Sequence, residues 1–189
     1  MNSMNAIIIA GGHSSRMGRD KGLLEYNGKP MIQYVIDAVS PHADRVMLIT
    51  QNPLYKRFGL EIFADLVPDL GPAGGIYTAL HISEAASNMI LSCDIPLITT
   101  STLQFIKDQH NSYDISLAAL HNKPEPLIGI YEKRCFEKWN SLIAQKNSAV
   151  HEMIKQFNTQ LIEMELMEGF NPKEFTNVNT QLELENLKL

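Results

Sequence analysis

Residues Ile7 to Pro30, IIIAGGHSSRMGRDKGLLEYNGKP, run from an apolar stretch into paired glycines and then into Arg16, Arg19 and Lys21. That order describes a cradle for phosphate. Glycines let the backbone approach an anion closely because no Cβ intervenes. Successive N–H groups can then face inward as a nest, and the cations neutralise charge. Two familiar signatures do not fit. GxGxxG fails because His13 stands where the second glycine belongs. GxxxxGK[ST] fails because Gly12 to Gly18 is one residue too long and Arg19 follows. Further along, Gly71-Pro72-Ala73-Gly74-Gly75 is a second glycine-rich turn, and Asp94 closes an apolar run. A carboxylate there suits Mg²⁺, which takes oxygen ligands and keeps waters and substrate phosphates in its shell. The same carboxylate could instead cap a following helix, with Pro96 near that helix's start.

These residues need elements to hold them. Short apolar runs alternate with helical patterns. Asn5–Ala10 reads as a strand buried on both faces, and Arg45–Thr50, Glu61–Ala64 and Asn88–Ser92 read as further strands. Pro30 suits the first position of a helix, and Met31, Ile32, Val35, Ile36 and Val39 follow at helical spacing. A short helix is expected after Asn52-Pro53, a second from Ile76 to Ala86, and a third from Thr100 to Gln109 with Thr99 or Thr100 as its cap. The second half is less regular. Strands are expected at Asp114–Ala119 and Leu127–Tyr131 around the turn His121–Pro126, and another at Leu161–Leu166. Helices are expected at Lys133–Ala144, Ala149–Phe157 and Thr180–Leu189. Strand alternating with helix predicts an α/β fold with a doubly wound, mostly parallel sheet in three α/β/α layers. In such a sheet the first and fourth strands flank the topological switch point, so the glycine loop and Asp94 face one crevice.

The chain has 189 residues, which fits one compact domain over 1–189. A net charge of −5 argues against nucleic acid as a bulk partner, so anion binding must be local. Cys93 and Cys135 form no CxxC pair, which points to a reducing, cytoplasmic setting without disulfides. No apolar run approaches a membrane span, and the N-terminus lacks the features of a signal peptide.

The stretch AGGHSSRMGRDKGLL, Ala10 to Leu24, resembles the nucleotidyltransferase signature A-G-G-x-S-x-R-M-G-x-D-K at every fixed position. The resemblance is to the molybdenum cofactor guanylyltransferases, with their Rossmann-like nucleotidyltransferase fold. It continues in order through GPAGGI (Gly71–Ile76), CDIP (Cys93–Pro96), PLIGIY (Pro126–Tyr131) and NVNT (Asn177–Thr180), covering nearly the whole length. It implies transfer of GMP from GTP to the terminal phosphate of molybdopterin carrying molybdenum, giving the guanine dinucleotide cofactor and pyrophosphate. A neighbouring class uses CTP and usually opens A-A-G, and sugar-1-phosphate and methylerythritol cytidylyl enzymes typically carry Pro-Lys where Asp20-Lys21 stands. Cytidylyl or sugar-phosphate transfer on the same fold, or a non-catalytic nucleotide-binding adaptor in molybdoenzyme assembly, are the competing readings.

Attack of one phosphate on the α-phosphorus of another requires positioning and charge neutralisation. The resemblance implies Lys21 at the α-phosphate, Arg16 at the triphosphate tail, and Asp94 as the Mg²⁺ ligand. Ile9, Ala10, Gly11, Gly12 and Ser14 would line or bind GTP, as would Thr50, Asn52, Asp65 and Gly71. Asn177 and Asn179 could contact phosphate or metal-bound water, or simply form a turn before the last helix. Gly71 to Gly74 would lie against the guanine, with Ala73 leaving that side of the pocket looser. His121–Pro126 and Lys146–His151 are the implied walls of the acceptor pocket. Proteins that deliver molybdopterin or assemble molybdoenzymes are possible partners, with no nucleic acid and no membrane. His13 and Arg19 fall at free positions of the motif and read as solvated. Cys93 reads as a small buried hydrophobe, Trp139 as a core anchor, and Met153, Met164 and Met167 as gap-fillers. His151-Glu152 begins like HExxH, but Lys155 takes the second histidine's place, so no zinc site is expected.

Overall fold

The computed structural model describes residues 3–11 and 20–187, without the side chain of Gln181. The chain opens with β1 (Met4–Ile9), buried along its whole length. After a 3₁₀ turn at Lys21–Leu23, β2 (Glu25–Tyr26) and β3 (Lys29–Pro30) form a hairpin. Its turn residues Asn27 and Gly28 hold φ of 48° and 78°, the left-handed pair that a two-residue type I′ turn requires. Helix α1 (Met31–Val39) starts one residue later than expected. Pro30 stays extended as its cap, at φ −56° and ψ 140°, because it still pairs with Glu25 in the hairpin.

Strand β4 (Arg45–Ile49) leads through a 3₁₀ segment at Pro53–Phe58 to β5 (Glu61–Phe63). Helix α2 (Pro72–Ile82) begins four residues before the expected Ile76 and ends before Ala86. The glycine-rich turn is itself the first turn of the helix. Gly71 takes φ 54° and ψ −137°, a conformation open only to glycine, and Pro72 follows in the first turn. At the other end Ser83 is extended, its hydroxyl accepting from Asn5 Nδ2 at 2.9 Å. Strand β6 (Ser87–Ser92) and helix α3 (Thr100–Gln109) follow, and Thr99 caps α3 by accepting from Thr102 N.

Strands β7 (Ile115–Leu120) and β8 (Lys123–Glu132) are joined by only His121 and Asn122, both at positive φ. Strand β8 therefore starts four residues before the expected Leu127. Its pairing with β6 begins only at Ile128, opposite Leu91. The segment 123–127 overhangs the end of β6, so Pro124 and Pro126 forfeit no ladder bond on that side. Helices α4 (Phe136–Ala144) and α5 (Val150–Ile154), strand β9 (Thr159–Glu163) and helix α6 (Gln181–Asn186) complete the elements. Residues 133–135 and 164–166, expected as helix and strand, are 3₁₀ turns.

The seven-stranded sheet has the order β5-β4-β1-β6-β8-β7-β9, and β8 alone runs antiparallel to the rest. Alternation along β1 divides the core. Ala6 and Ile8 pack with α1 and α3 on one face, through residues such as Ile32, Val35 and Leu103. Ile7 and Ile9 pack with α2, α4 and α5 on the other, through Ile76, Trp139 and Met153. The result is the three-layer α/β/α arrangement expected. Trp139 is fully buried and donates from Nε1 to Ala73 O at 3.1 Å, an anchor as predicted. Among the described residues no helix is long and apolar enough to cross a membrane.

Candidate functional site

Parallel strands β5, β4, β1 and β6 end at the same edge, and the chain switches sides at β1. Ligands of open α/β sheets bind in the crevice beyond such carboxyl ends. Two cavities lie there. The first, of 330 Å³, is lined by Ile9, Ala10 and Gly11 after β1, by Thr50 and Asn52 after β4, by Asp65 after β5, and by Gly71 before α2. The second, of 450 Å³, is lined by Asp94, Asn177 and Asn179, by Pro72 of α2, by Glu125 and Pro126 of the overhanging β8, and by Ser148 and His151. The implied acceptor walls thus contribute to the second cavity. Gly12, Ser14 and Arg16 lie outside the described residues, as do His13 and Arg19.

Lys21 follows Asp20 of the first cavity and reaches two residues of the second. Its ammonium donates to Asn179 Oδ1 and lies 3.9 Å from Asp94 Oδ2. What fixes it is the residue before it. Asp20 Oδ1 accepts from Tyr55 OH at 2.5 Å and from Gly22 N at 3.2 Å, and Oδ2 accepts from Asn52 Nδ2 at 3.1 Å. Tyr55 is fully buried, and burial, with Cys93 and Asp20 beside it, pushes its phenol far up, so it stays a donor. A Cβ on Gly22 would stand 2.5 Å from Tyr55 OH, so only glycine lets the turn sit this close. Burial raises the Cys93 thiol strongly, consistent with a buried hydrophobe and not a nucleophile.

Asp94 does not cap α3, since Thr99 does. Its Oδ1 accepts from Ser92 Oγ at 2.5 Å, and its carbonyl accepts from Val178 N at 2.8 Å. Val178 is fully buried beside Leu24, Met31 and Leu184. Its two neighbours, Asn177 and Asn179, consequently reach the cavity. Asn179 serves the fold as well, because its N–H donates to Glu183 Oε2 at the start of α6.

Several expected nucleotide residues have work inside the chain. Asn52 Oδ1 accepts from Leu54 N and its amide nitrogen serves Asp20. Thr50 Oγ1 accepts from Asn52 N, and Asp65 Oδ1 accepts from Val67 N and Thr78 Oγ1. Ala73 and Gly74 do not line the first cavity, contrary to the expectation that they flank the base. Both are buried in α2, and a Cβ on Gly74 would stand 2.5 Å from Val67 O. Sequence reasoning passed over Asp20, whose signal was its place directly before Lys21, and took in Glu125 only as part of the implied wall His121–Pro126.

A MobA-like NTP transferase domain model matches residues 6–160. A Flavobacterium johnsoniae protein named "Probable molybdenum cofactor guanylyltransferase" is 38% identical over 190 residues, covering 100% of this chain and 98% of that protein. The chain belongs to the molybdenum cofactor guanylyltransferase family. The Vibrio parahaemolyticus protein named molybdenum cofactor guanylyltransferase is 32% identical over 94% of this chain and 91% of its own length. Molybdopterin-guanine dinucleotide biosynthesis protein A from Archaeoglobus fulgidus shares the fold, with a TM-score of 0.79 at 22% identity over 96% of this chain and 95% of that one.

Nucleotidyltransferases of this kind use a divalent metal. Among the described residues no group of three or more His, Cys, Asp or Glu could hold one. Asp94 and Asn177 offer side-chain oxygens to the second cavity, while Asn179 Oδ1 is engaged by Lys21. That set fits a hard cation that completes its shell with waters and substrate phosphates.

Proposed function

We propose that this chain transfers the guanylyl group of GTP to the terminal phosphate of molybdopterin carrying molybdenum, releasing pyrophosphate. The observation that carries this reading is a pair of cavities at one sheet edge, with Asp20 lining the first and the adjacent Lys21 bound to Asn179 and close to Asp94 of the second. A transfer between two bound anions needs two compartments and a cation at their junction.

GTP occupies the first cavity and the acceptor the second. Among the described residues a Cβ on Gly11 would meet only Ile49 O, at 3.8 Å, and glycine there favours the close approach of a phosphate. An acceptor phosphate oxygen forms a bond to the α-phosphorus as the bond from that phosphorus to the β-bridging oxygen breaks. Lys21 neutralises charge gathering on the α-phosphate, and Arg16 that on the departing pyrophosphate. Asp20 fixes the turn carrying Lys21. Asp94 would hold Mg²⁺, which would supply charge neutralisation for the reacting phosphates. The two free, buried cysteines suit a cytoplasmic setting.

The test is pyrophosphate release and dinucleotide formation from molybdopterin with GTP, CTP, UTP or ATP and Mg²⁺. Product with GTP alone supports the reading. Equal or greater turnover with CTP overturns the guanylyl assignment.

A further inference from the structure

We infer that Glu125 selects the acceptor by receiving hydrogen bonds from the paired N–H donors on the edge of its pterin ring. This rests on the assignment of molybdopterin as acceptor. Three observations lead to it. Glu125 lies on the part of β8 that runs past the end of β6, so it lines the second cavity and not the sheet interior. It is half-buried, and among the described residues neither carboxylate oxygen has a hydrogen-bond partner. Burial raises its pKa, opposed only by His151 across the same cavity. A carboxylate held partly out of water without donors carries a desolvation cost that a ligand with donors relieves.

The shape of the cavity says what kind of ligand that is. Pro72, Pro126, Leu127 and Val150 give it apolar walls, and two of its polar lining residues, Asp94 and Asn179, stand beside Lys21. A flat heterocycle with a phosphate tail fits this division, the phosphate toward Lys21 and the ring along the apolar walls. A pterin ring carries an N–H and an exocyclic NH₂ side by side. Two oxygens of one carboxylate accept that pair in the manner they accept a guanidinium fork. A ring with oxygen in place of the NH₂ would set an acceptor against the carboxylate, and such a mismatch gives strong discrimination.

The experiment is steady-state transfer by wild type, Glu125→Gln and Glu125→Asp, varying molybdopterin at saturating GTP and then GTP at saturating molybdopterin. Loss of a charge-assisted pair predicts an acceptor KM raised about tenfold to a hundredfold in Glu125→Gln. The Asp variant, which keeps the charge on a shorter arm, falls between. The KM for GTP and the rise in Tm with GTP stay as in wild type. An acceptor KM within twofold of wild type in Glu125→Gln overturns the role of Glu125 while leaving guanylyl transfer standing. So does a parallel rise in both KM values, which would mark a general defect. Absence of transfer by wild type that still binds GTP overturns the acceptor assignment, and this inference with it.

Discussion

Lys21 and Asn179, 158 positions apart in the chain, hydrogen-bond to each other across the crevice, ammonium to amide oxygen. The contact joins the turn after the glycine loop to the segment entering the last helix. It also sets the cation beside Asp94, which lines the second cavity.

Lys21→Ala should lower turnover about 10²- to 10³-fold, the usual cost of removing one donor to a developing oxyanion. GTP binding should weaken less, because the remaining phosphate contacts persist. Turnover against GTP affinity from the rise in Tm checks this, and turnover within a few-fold of wild type would move Lys21 away from the reacting phosphate.

Asp94→Asn keeps the size of the side chain and removes its charge. Since Thr99 caps α3, the variant should melt near wild type. Activity should fall by about 10²-fold or more, and what remains should demand more Mg²⁺, because a neutral amide is a poorer ligand for a hard dication. An Mg²⁺ titration of turnover decides it; an unshifted requirement would remove Asp94 from the metal site.

Tyr55→Phe removes a buried donor from Asp20. A hydrogen bond to a charged group contributes about 1.5–3 kcal/mol, so chemical denaturation should show a loss of that order. The KM for GTP should rise as the turn carrying Lys21 loosens. A stability change below about 0.5 kcal/mol would mean that Gly22 and Asn52 hold Asp20 by themselves.

Glu125 has a stability consequence with a definite sign. Burial raises its folded pKa above the ordinary glutamate value of 4.5. Folding therefore favours the protonated form, and stability falls as pH rises through the window between the unfolded and folded values. Glu125→Gln should melt about 1–3 °C above wild type at pH 7, a small gain because the group is half exposed. The gain should vanish once wild type is protonated, near pH 3.5, about one unit below 4.5. Asp94 and His151 line the same cavity, so the comparison is between the two proteins at each pH. A Tm lower than wild type at pH 7 would show that the carboxylate is stabilised within the free protein.

The strands and their order of use were legible because strands buried on both faces read as unbroken apolar runs. The glycine loop, Asp94 and the NVNT segment were legible as motifs. The hairpin at Asn27-Gly28 was missed although that dipeptide is a strong turn signal, since each of its strands has only two residues. Gly71–Gly75 read as a turn because glycine disfavours helix, yet Gly74 and Gly75 are glycine so that α2 can press against Val67 and Ile9. Pro124 and Pro126 read as breakers, and they sit in a strand because one side of it is locally unpaired. Glu125 and the brace of Asp20 by Tyr55 depend on contacts between distant segments, which no local pattern records.

The contact between Lys21 and Asn179 also has a consequence in time. A ribosome adds about 5–20 residues per second, so the two partners are made about 10–30 s apart. Strands β1, β4 and β6 can pair as they emerge, while Asp94 O waits for Val178 N and Lys21 for Asn179. The nascent chain thus holds a nearly finished sheet with an unfinished junction. GTP cannot meet a complete site, or draw folding forward by binding to it, until synthesis has passed Asn179.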